Sequence, residues 1–284
     1  ARDYFARRGI ETIGMADLLR LVPDYAGAET TGARLAGEQN RHAVVSAEDT
    51  AAYMGVGYAA LEREHGEQEA AARYARLGRQ TFCPTDFFVR LFELHRPAVV
   101  VATSSPRSER AVMQAARDCR IPSLCLVDLY APFEIEWCAS PDYASRICVL
   151  NEAVKNRFVA RGVPADRVVV TGNPAFDRLG LVDRQSVRSE SRKRLGLATS
   201  DRLLLWISQP EPAIHPFSGV PGDPTLPERI EQWLAETFDE VSNVHIVMRL
   251  HPSEDRPPAV SGARIRYSDV TEPLDSLLCA SDCV

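Results

Sequence analysis

The sequence has almost no lysine. Of its 33 lysines and arginines only Lys155 and Lys193 are lysine, a bias of composition that carries no functional weight. It has no apolar run long enough to span a bilayer, and peripheral membrane contact stays open. It has no Cys-x-x-Cys pair. Its seven cysteines (83, 119, 125, 138, 148, 279 and 283) are odd in number, and most sit in apolar runs such as SLCLV and RICVL, where a thiol acts as a small core group. No metal site is expected, and a reducing, cytoplasmic setting is. An excess of positive charge is also lacking. A net charge of −6 offers no electrostatic footprint for nucleic acid.

What is present is ordinary for a globular protein, with 45% hydrophobic and 25% charged residues in 284 positions, enough for one large or two medium domains. RDYFARRG at the start reads as helix and IETIGM (10–15) as strand. From about 24 to 96 the chain is rich in Ala, Glu and Arg with no strand pattern, so it reads as a helical insertion. The Gly-x-Gly in MGVGYA (54–59) follows no strand and reads as helix packing. Then the period changes. PAVVVATS (97–104) is a β-branched apolar run of the kind buried on both faces of a sheet. IPSLCLVDL, RICVL and RVVVTG follow at intervals, separated by helical stretches, which predicts a parallel, doubly wound sheet.

The polar stretch 183–201 reads as a linker and entry helix. After it RLLLWIS, NVHIVMRL and ARIRYSD alternate with helices again, and Trp206 and Trp233 are expected in that core. The expected organisation is a first Rossmann-like domain over 1–182, the linker, and a second domain over 202–284. The chain opens inside a helix and stops at SDCV as a strand begins, so both ends read as interrupted and the second domain as incomplete.

In open parallel sheets ligands sit beyond the carboxyl ends of the strands. In the first domain those ends carry Ser104, Ser105 and Arg107, then Asp128, then Gly172 and Asn173. In the second they carry Ser208, Gln209 and Glu211, then Arg249, His251, Pro252, Ser253 and Glu254. A guanidinium fork and an imidazole beside hydroxyl and amide groups suit a phosphate. The same residues also suit a plain strand-end turn, with His251 preceding a proline for backbone reasons. The Ser104-Ser105-Pro106-Arg107 turn either binds an anion or simply caps the helix it opens.

RICVLNEAVKNRFVARGVPADRVVVTGNPAFDRL supplies Glu152, Gly162, Pro164, Arg167, Thr171, Gly172, Asn173, Pro174 and Asp177 in one order. That stretch resembles the GT-B superfamily, in particular nucleotide-sugar glycosyltransferases and hydrolysing UDP-N-acetylglucosamine 2-epimerases. LHPSE is similar to the His-Pro motif of bacterial sialyltransferases, capsular Kdo transferases and glycerophosphotransferases. The resemblance implies an α/β fold of two Rossmann-like domains with parallel sheets. It implies a cytidine or uridine nucleotide-sugar donor as substrate and no bound cofactor. The nucleotide would lie near Ser208, Gln209, Arg249, His251, Pro252 and Glu254, with His251 on the donor phosphate. Ser104, Ser105, Arg107, Gly172 and Asn173 would line the cleft between domains. Asp128, Glu134 or Glu136 would take the acceptor proton.

Two departures matter. LVDLYAPFE stands where the epimerases carry a His-x-Glu-Ala-Gly-like segment, and no acidic sialyltransferase motif is found. The expected function is transfer of a sugar or related group to a polysaccharide, lipopolysaccharide or lipid-linked acceptor, at the inner face of the cytoplasmic membrane if membrane contact is made. The alternatives are a hydrolysing 2-epimerase and a catalytically inactive scaffold of the same fold.

Overall fold

The structure is a computed structural model that describes residues 2–37, 45–215, 219–254 and 256–284. It divides into two compact units, Ala1–Asn173 and Pro174–Val284. Among the described residues no helix is long and apolar enough to cross a membrane.

The first unit opens with helices α1 (Arg2–Ala6), α2 (Met15–Arg20), α3 (Ala28–Ala36), α4 (Ala47–His65), α5 (Glu67–Leu77) and α6 (Thr85–His95). The strand expected over IETIGM does not form. Residues 10–14 are irregular, and among the described residues no strand lies beside them to pair with. The Asp17 carboxylate instead accepts the Gly14 N–H at 2.9 Å and starts α2. Ser46 caps α4 by accepting the Asp49 N–H, and Asp49 reaches across to the Ala16 N–H at 3.0 Å. Helices α3 and α4 touch backbone to backbone. A Cβ on Gly32 would lie 1.8 Å from the Ala51 carbonyl, and one on Gly55 would lie 2.0 Å from that of Ala28. Gly57 leaves its space to the Phe82 ring. MGVGYA is therefore a packing motif.

Then come β1 (Val100–Thr103), α7 (Ser108–Asp118), β2 (Ser123–Leu126), α8 (Ile135–Cys138), β3 (Arg146–Val149), α9 (Glu152–Ala160) and β4 (Val168–Val170). The strands pair in parallel in the order β1-β2-β3-β4. Strands laid down in one direction by right-handed crossovers keep their connecting helices on one face. One face is accordingly buried, with Cys125, Ile147, Val149 and Val168 packed among Met113 and Phe158. Val101 points to the other face and is 53% exposed. The apolar run 97–104 is thus covered on one face within this unit, and the sheet here is singly wound.

The second unit contains α10 (Asp177–Gly180), α11 (Arg184–Arg194), β5 (Arg202–Ile207), α12 (Leu226–Phe238), β6 (Val244–Arg249), β7 (Ile265–Tyr267) and α13 (Leu274–Ala280). The sheet order is β5-β6-β7, all parallel. Cys283 bridges Leu204 in parallel. The chain therefore returns past β5 after α13, and the winding reverses there. Both faces are covered. Leu203, Leu205 and Val247 pack with Leu277 and Ala280 of α13, while Ile246 and Met248 pack with Leu234 of α12. Trp206 joins the α12 side, but Trp233 is 60% exposed and lies outside the core. It occupies the solvent side of α12, one residue off the stripe that carries Pro227 and Leu234 inward.

Asp282 fastens this unit. Its carboxylate accepts the Leu203 N–H at 2.8 Å and pairs with Arg188 at 2.5 Å and Arg192 at 3.0 Å, joining α11 to the start of β5. Burial opposes its charge, but these donors prevail and hold the acid at about 2, below its ordinary 3.8. The folded-state value is depressed, so this stabilisation is present above pH 4 and is lost as the pH falls towards 2. Asp282→Asn is expected to lower stability by about 1–2 kcal/mol at neutral pH, allowing for solvent screening of a side chain near the surface. Urea titrations at stepped pH should show the wild-type advantage closing between about pH 4 and pH 2.

Candidate functional site

Strands β5 and β6 end level, with Ile207 opposite Arg249. Ser208 closes the ladder by donating its N–H to the Arg249 carbonyl at 2.8 Å. The winding reverses between β5 and the strand that begins at Cys283, so the end of β5, with Ser208, borders the switch point where such folds bind ligands, and the end of β6 is the next strand end along.

The loop after β6 is built around Glu254. Its Oε2 accepts the His251 N–H at 2.7 Å, and its Oε1 accepts the Ser208 hydroxyl at 2.9 Å and Arg256 Nε at 3.1 Å. Burial raises the Glu254 acid, yet these donors outweigh it and keep the carboxyl below its ordinary range. Arg256 continues inward and grips Glu231 of α12 with both terminal nitrogens, at 2.6 and 3.1 Å. Glu231 is 0% exposed. The Tyr267 hydroxyl at the end of β7 donates to Glu231 at 2.7 Å and accepts the N–H groups of Ala259 and Val260. The Glu231 hydrogen bond adds to the Arg256 preference for its charged form, and burial together with Glu231 lifts the Tyr267 hydroxyl to about 12. One chain of charge-assisted bonds thus joins α12, β7, the loop after β6 and the end of β5.

His251 stands at the open end of that chain. Ser253 donates its N–H to Nδ1 at 3.1 Å, and the Ser253 hydroxyl lies 2.7 Å from the same atom. A backbone N–H can only donate, so Nδ1 is an acceptor, and the neutral ring carries its proton on Nε2. No side chain among the described residues takes that Nε2–H. The ring therefore offers an oriented donor at the strand end. Gln209, Pro252 and Ser253 are exposed beside it.

Arg249, expected to offer its fork to a phosphate, uses its terminal nitrogens otherwise. They bond the Ser268 hydroxyl and the carbonyls of Asp269, Val270 and Glu272, which fastens the end of β6 to the loop after β7. Glu254, expected at the nucleotide, is the hub of the loop.

In the first unit the expected residues follow the strand ends. Ser104 is buried, and its carbonyl accepts Trp137 Nε1 at 3.0 Å; Ser105 receives the Thr103 hydroxyl at 3.4 Å. Arg107 bonds Gln80 at 2.9 Å, tying α7 to the helical region. Gly172 turns the chain with φ +75°. Asn173 Nδ2 then donates to the Asp128 main-chain carbonyl at 2.6 Å, so the ends of β4 and β2 are joined, and Asp128 is exposed. Glu134 is half-buried and accepts the Phe133 N–H at 3.3 Å; Glu136 is paired with Arg161 at 2.9 Å, which lowers its acid. No hydrogen bond among the described residues joins Glu134 to Asp128.

No protein-family model matches this sequence, and no curated protein matches it. Solved structures do. The likeness is one of fold. MnaA of S. aureus, solved with UDP, superposes with a TM-score of 0.50 at 17% identity over 68% of this chain and 52% of that one. A Neisseria meningitidis UDP-GlcNAc 2-epimerase bound to UDP-GlcNAc gives 0.49 at 16% identity, over 69% and 56%. Anabaena HepE in complex with UDP and glucose gives 0.43 at 14% identity, over 90% and 69%. The chain spans about half the length of MnaA. It has a Rossmann-like α/β fold of GT-B type with parallel sheets, as the sequence led one to expect.

Arg256, Glu231 and Tyr267 were not singled out in the sequence. Glu231 did leave a signal: it occupies the apolar stripe of α12 between Pro227 and Leu234, where a carboxylate must find a buried partner. Removing that partner is expected to be severe. Arg256→Met should destabilise the protein by about 3–5 kcal/mol, because Glu231 would be left charged and buried. The double variant Glu231→Met with Arg256→Met should recover most of the loss, measured by equilibrium urea unfolding.

Proposed function

We propose that the chain transfers a sugar or related group from a nucleotide-activated donor to a cell-surface glycan or lipid-linked acceptor. The observation that carries the reading is the His251 ring, whose Nε2–H is oriented at the end of β6, next to the strand that borders the switch point, by its bonds to Ser253. A donor there meets a phosphate oxygen. As the bond between sugar and phosphate breaks, negative charge builds on that oxygen, and a fixed N–H stabilises it more than it stabilises the ground state. Ser208 and Gln209, at the next strand end, adjoin the same phosphate. Arg249 and Glu254 shape the site from behind, and Pro252 turns the loop.

On the acceptor side a carboxylate takes the proton of the attacking hydroxyl. Asp128 is the first choice, since no hydrogen bond or ion pair holds its carboxylate among the described residues; Glu134 is the second. Ser104, Ser105, Arg107, Gly172 and Asn173 belong to the strand ends around Asp128. The setting proposed is cytoplasmic, at the inner face of the membrane that carries the acceptor.

A uridine nucleotide is the second reading, favoured by the UDP held in MnaA. With it goes a hydrolysing UDP-N-acetylglucosamine 2-epimerase activity, the other group that the stretch over 146–179 resembles. An inactive scaffold would hold no nucleotide. Calorimetry with CMP, CDP, UDP and GDP separates the three. The transferase reading expects cytidine-selective binding that His251→Ala weakens about tenfold, the loss of one hydrogen bond to a charged group. UDP-selective binding indifferent to His251 supports the epimerase. A folded protein that binds none of the four overturns both.

A further inference from the structure

The opposite end of the first sheet carries a cleft that the proposed reaction does not use. It lies at the starts of β2, β3 and β4, has a volume of about 430 Å³, and is lined by Arg117, Arg120, Arg146 and Arg167 together with Ser123 and Asp142. Four arginines from three places in the chain line it: two at the carboxyl end of α7, one at the start of β3 and one before β4. The facing carboxylates are Asp142 and Asp118, both paired with Arg117. Four cations against two carboxylates leave an excess of two positive charges, in a chain whose net charge is −6.

Two of these arginines are anchored without being neutralised. Arg146 donates to the Ser145 carbonyl at 2.8 Å, and Arg167 donates to the Pro141 carbonyl. Each keeps further N–H groups and its full charge. Arg120 has no ion pair among the described residues. It also sits at φ +58°, in the left-handed region, just after α7 ends. Glycine is the residue that this position favours, so the arginine is held there against backbone preference.

We propose that this cleft binds a phosphate dianion, carried by a small metabolite or by a lipid headgroup. Its charge matches the local excess, and the guanidinium fork matches its oxygens. The cleft is a second site, at the far end of the strands from Asp128 and Asn173, and it does not depend on the nucleotide reading.

Arg120→Gly tests it without endangering the fold, because glycine relieves the left-handed strain while deleting the guanidinium. Arg146→Ala is the second variant. Inorganic phosphate is titrated by calorimetry in the His251→Ala background, which removes the donor at the other candidate site. Vesicles of phosphatidic acid, whose headgroup is a phosphate monoester, in phosphatidylcholine are tested by co-sedimentation. The expected result is at least a fivefold loss of binding in both variants, no drop in the melting temperature of Arg120→Gly, and affinity that falls with salt. Binding of phosphate alone identifies a soluble ligand, and binding of vesicles identifies a headgroup. Binding of neither by the folded protein, or binding unchanged in both variants, overturns the proposal. Nucleotide binding by both variants is expected to match wild type, so failure here and failure of the transferase reading are told apart.

Discussion

The second unit depends on one buried pair. Glu231 has no exposed surface, and a carboxylate in that position is tolerable only when its charge is met and its oxygens are bonded. Arg256 meets the charge, and Tyr267 supplies a further donor. The consequence reaches the strand ends. Having entered to reach Glu231, Arg256 also bonds Glu254, and Glu254 fixes both the His251 backbone and the Ser208 hydroxyl. A buried ion pair is weak evidence for stability in itself, since two well-packed apolar groups often serve as well. Here it fixes a loop at one position and leaves a single ring nitrogen pointing outward with a proton on it.

The two sheets differ in how they are wound, and the difference sets where ligands can lie. In the second unit the bridge from Cys283 to Leu204 brings the chain back past β5, so helices cover both faces and the reversal lies beside β5, the strand that Ser208 follows. In the first unit the strands run in sequence order, and the buried face is the one that Met113 and Phe158 share. Its carboxyl ends gather Asp128 and Asn173, while its amino ends gather arginine.

The alternation of apolar strands and helices from residue 97 onward was legible in the sequence because the strand period and the helix period differ. The parallel sheets and the Rossmann-like class follow from that pattern. IETIGM was misread because an apolar run states only that a strand is possible; whether it forms depends on a neighbour to pair with, and none lies among the described residues. Burial on both faces of 97–104 was overestimated for a similar reason, since a run of valines does not say on which side the helices return. At the site, the grouping of Ser208, His251 and Glu254 was visible because the residues follow adjacent strands. The bonds of Arg249 to carbonyl oxygens were not legible, because a guanidinium binds carbonyls as well as phosphate and those of 269, 270 and 272 come from a loop some twenty residues away. The Glu231–Arg256 pair spans a similar distance and could be suspected only from a carboxylate on an apolar stripe.

The central claim is that this network presents the His251 Nε2–H to an anion at the strand ends. The most direct measurement is a two-dimensional NMR experiment on ¹⁵N-labelled histidine that correlates the ring nitrogens with the ring protons, recorded with and without CDP. The account predicts that His251 is the Nε2–H tautomer before addition and that its Nε2 signal shifts when the nucleotide is added. A proton on Nδ1 of the neutral ring, or an Nε2 signal unmoved by a nucleotide that calorimetry shows to bind, would contradict it.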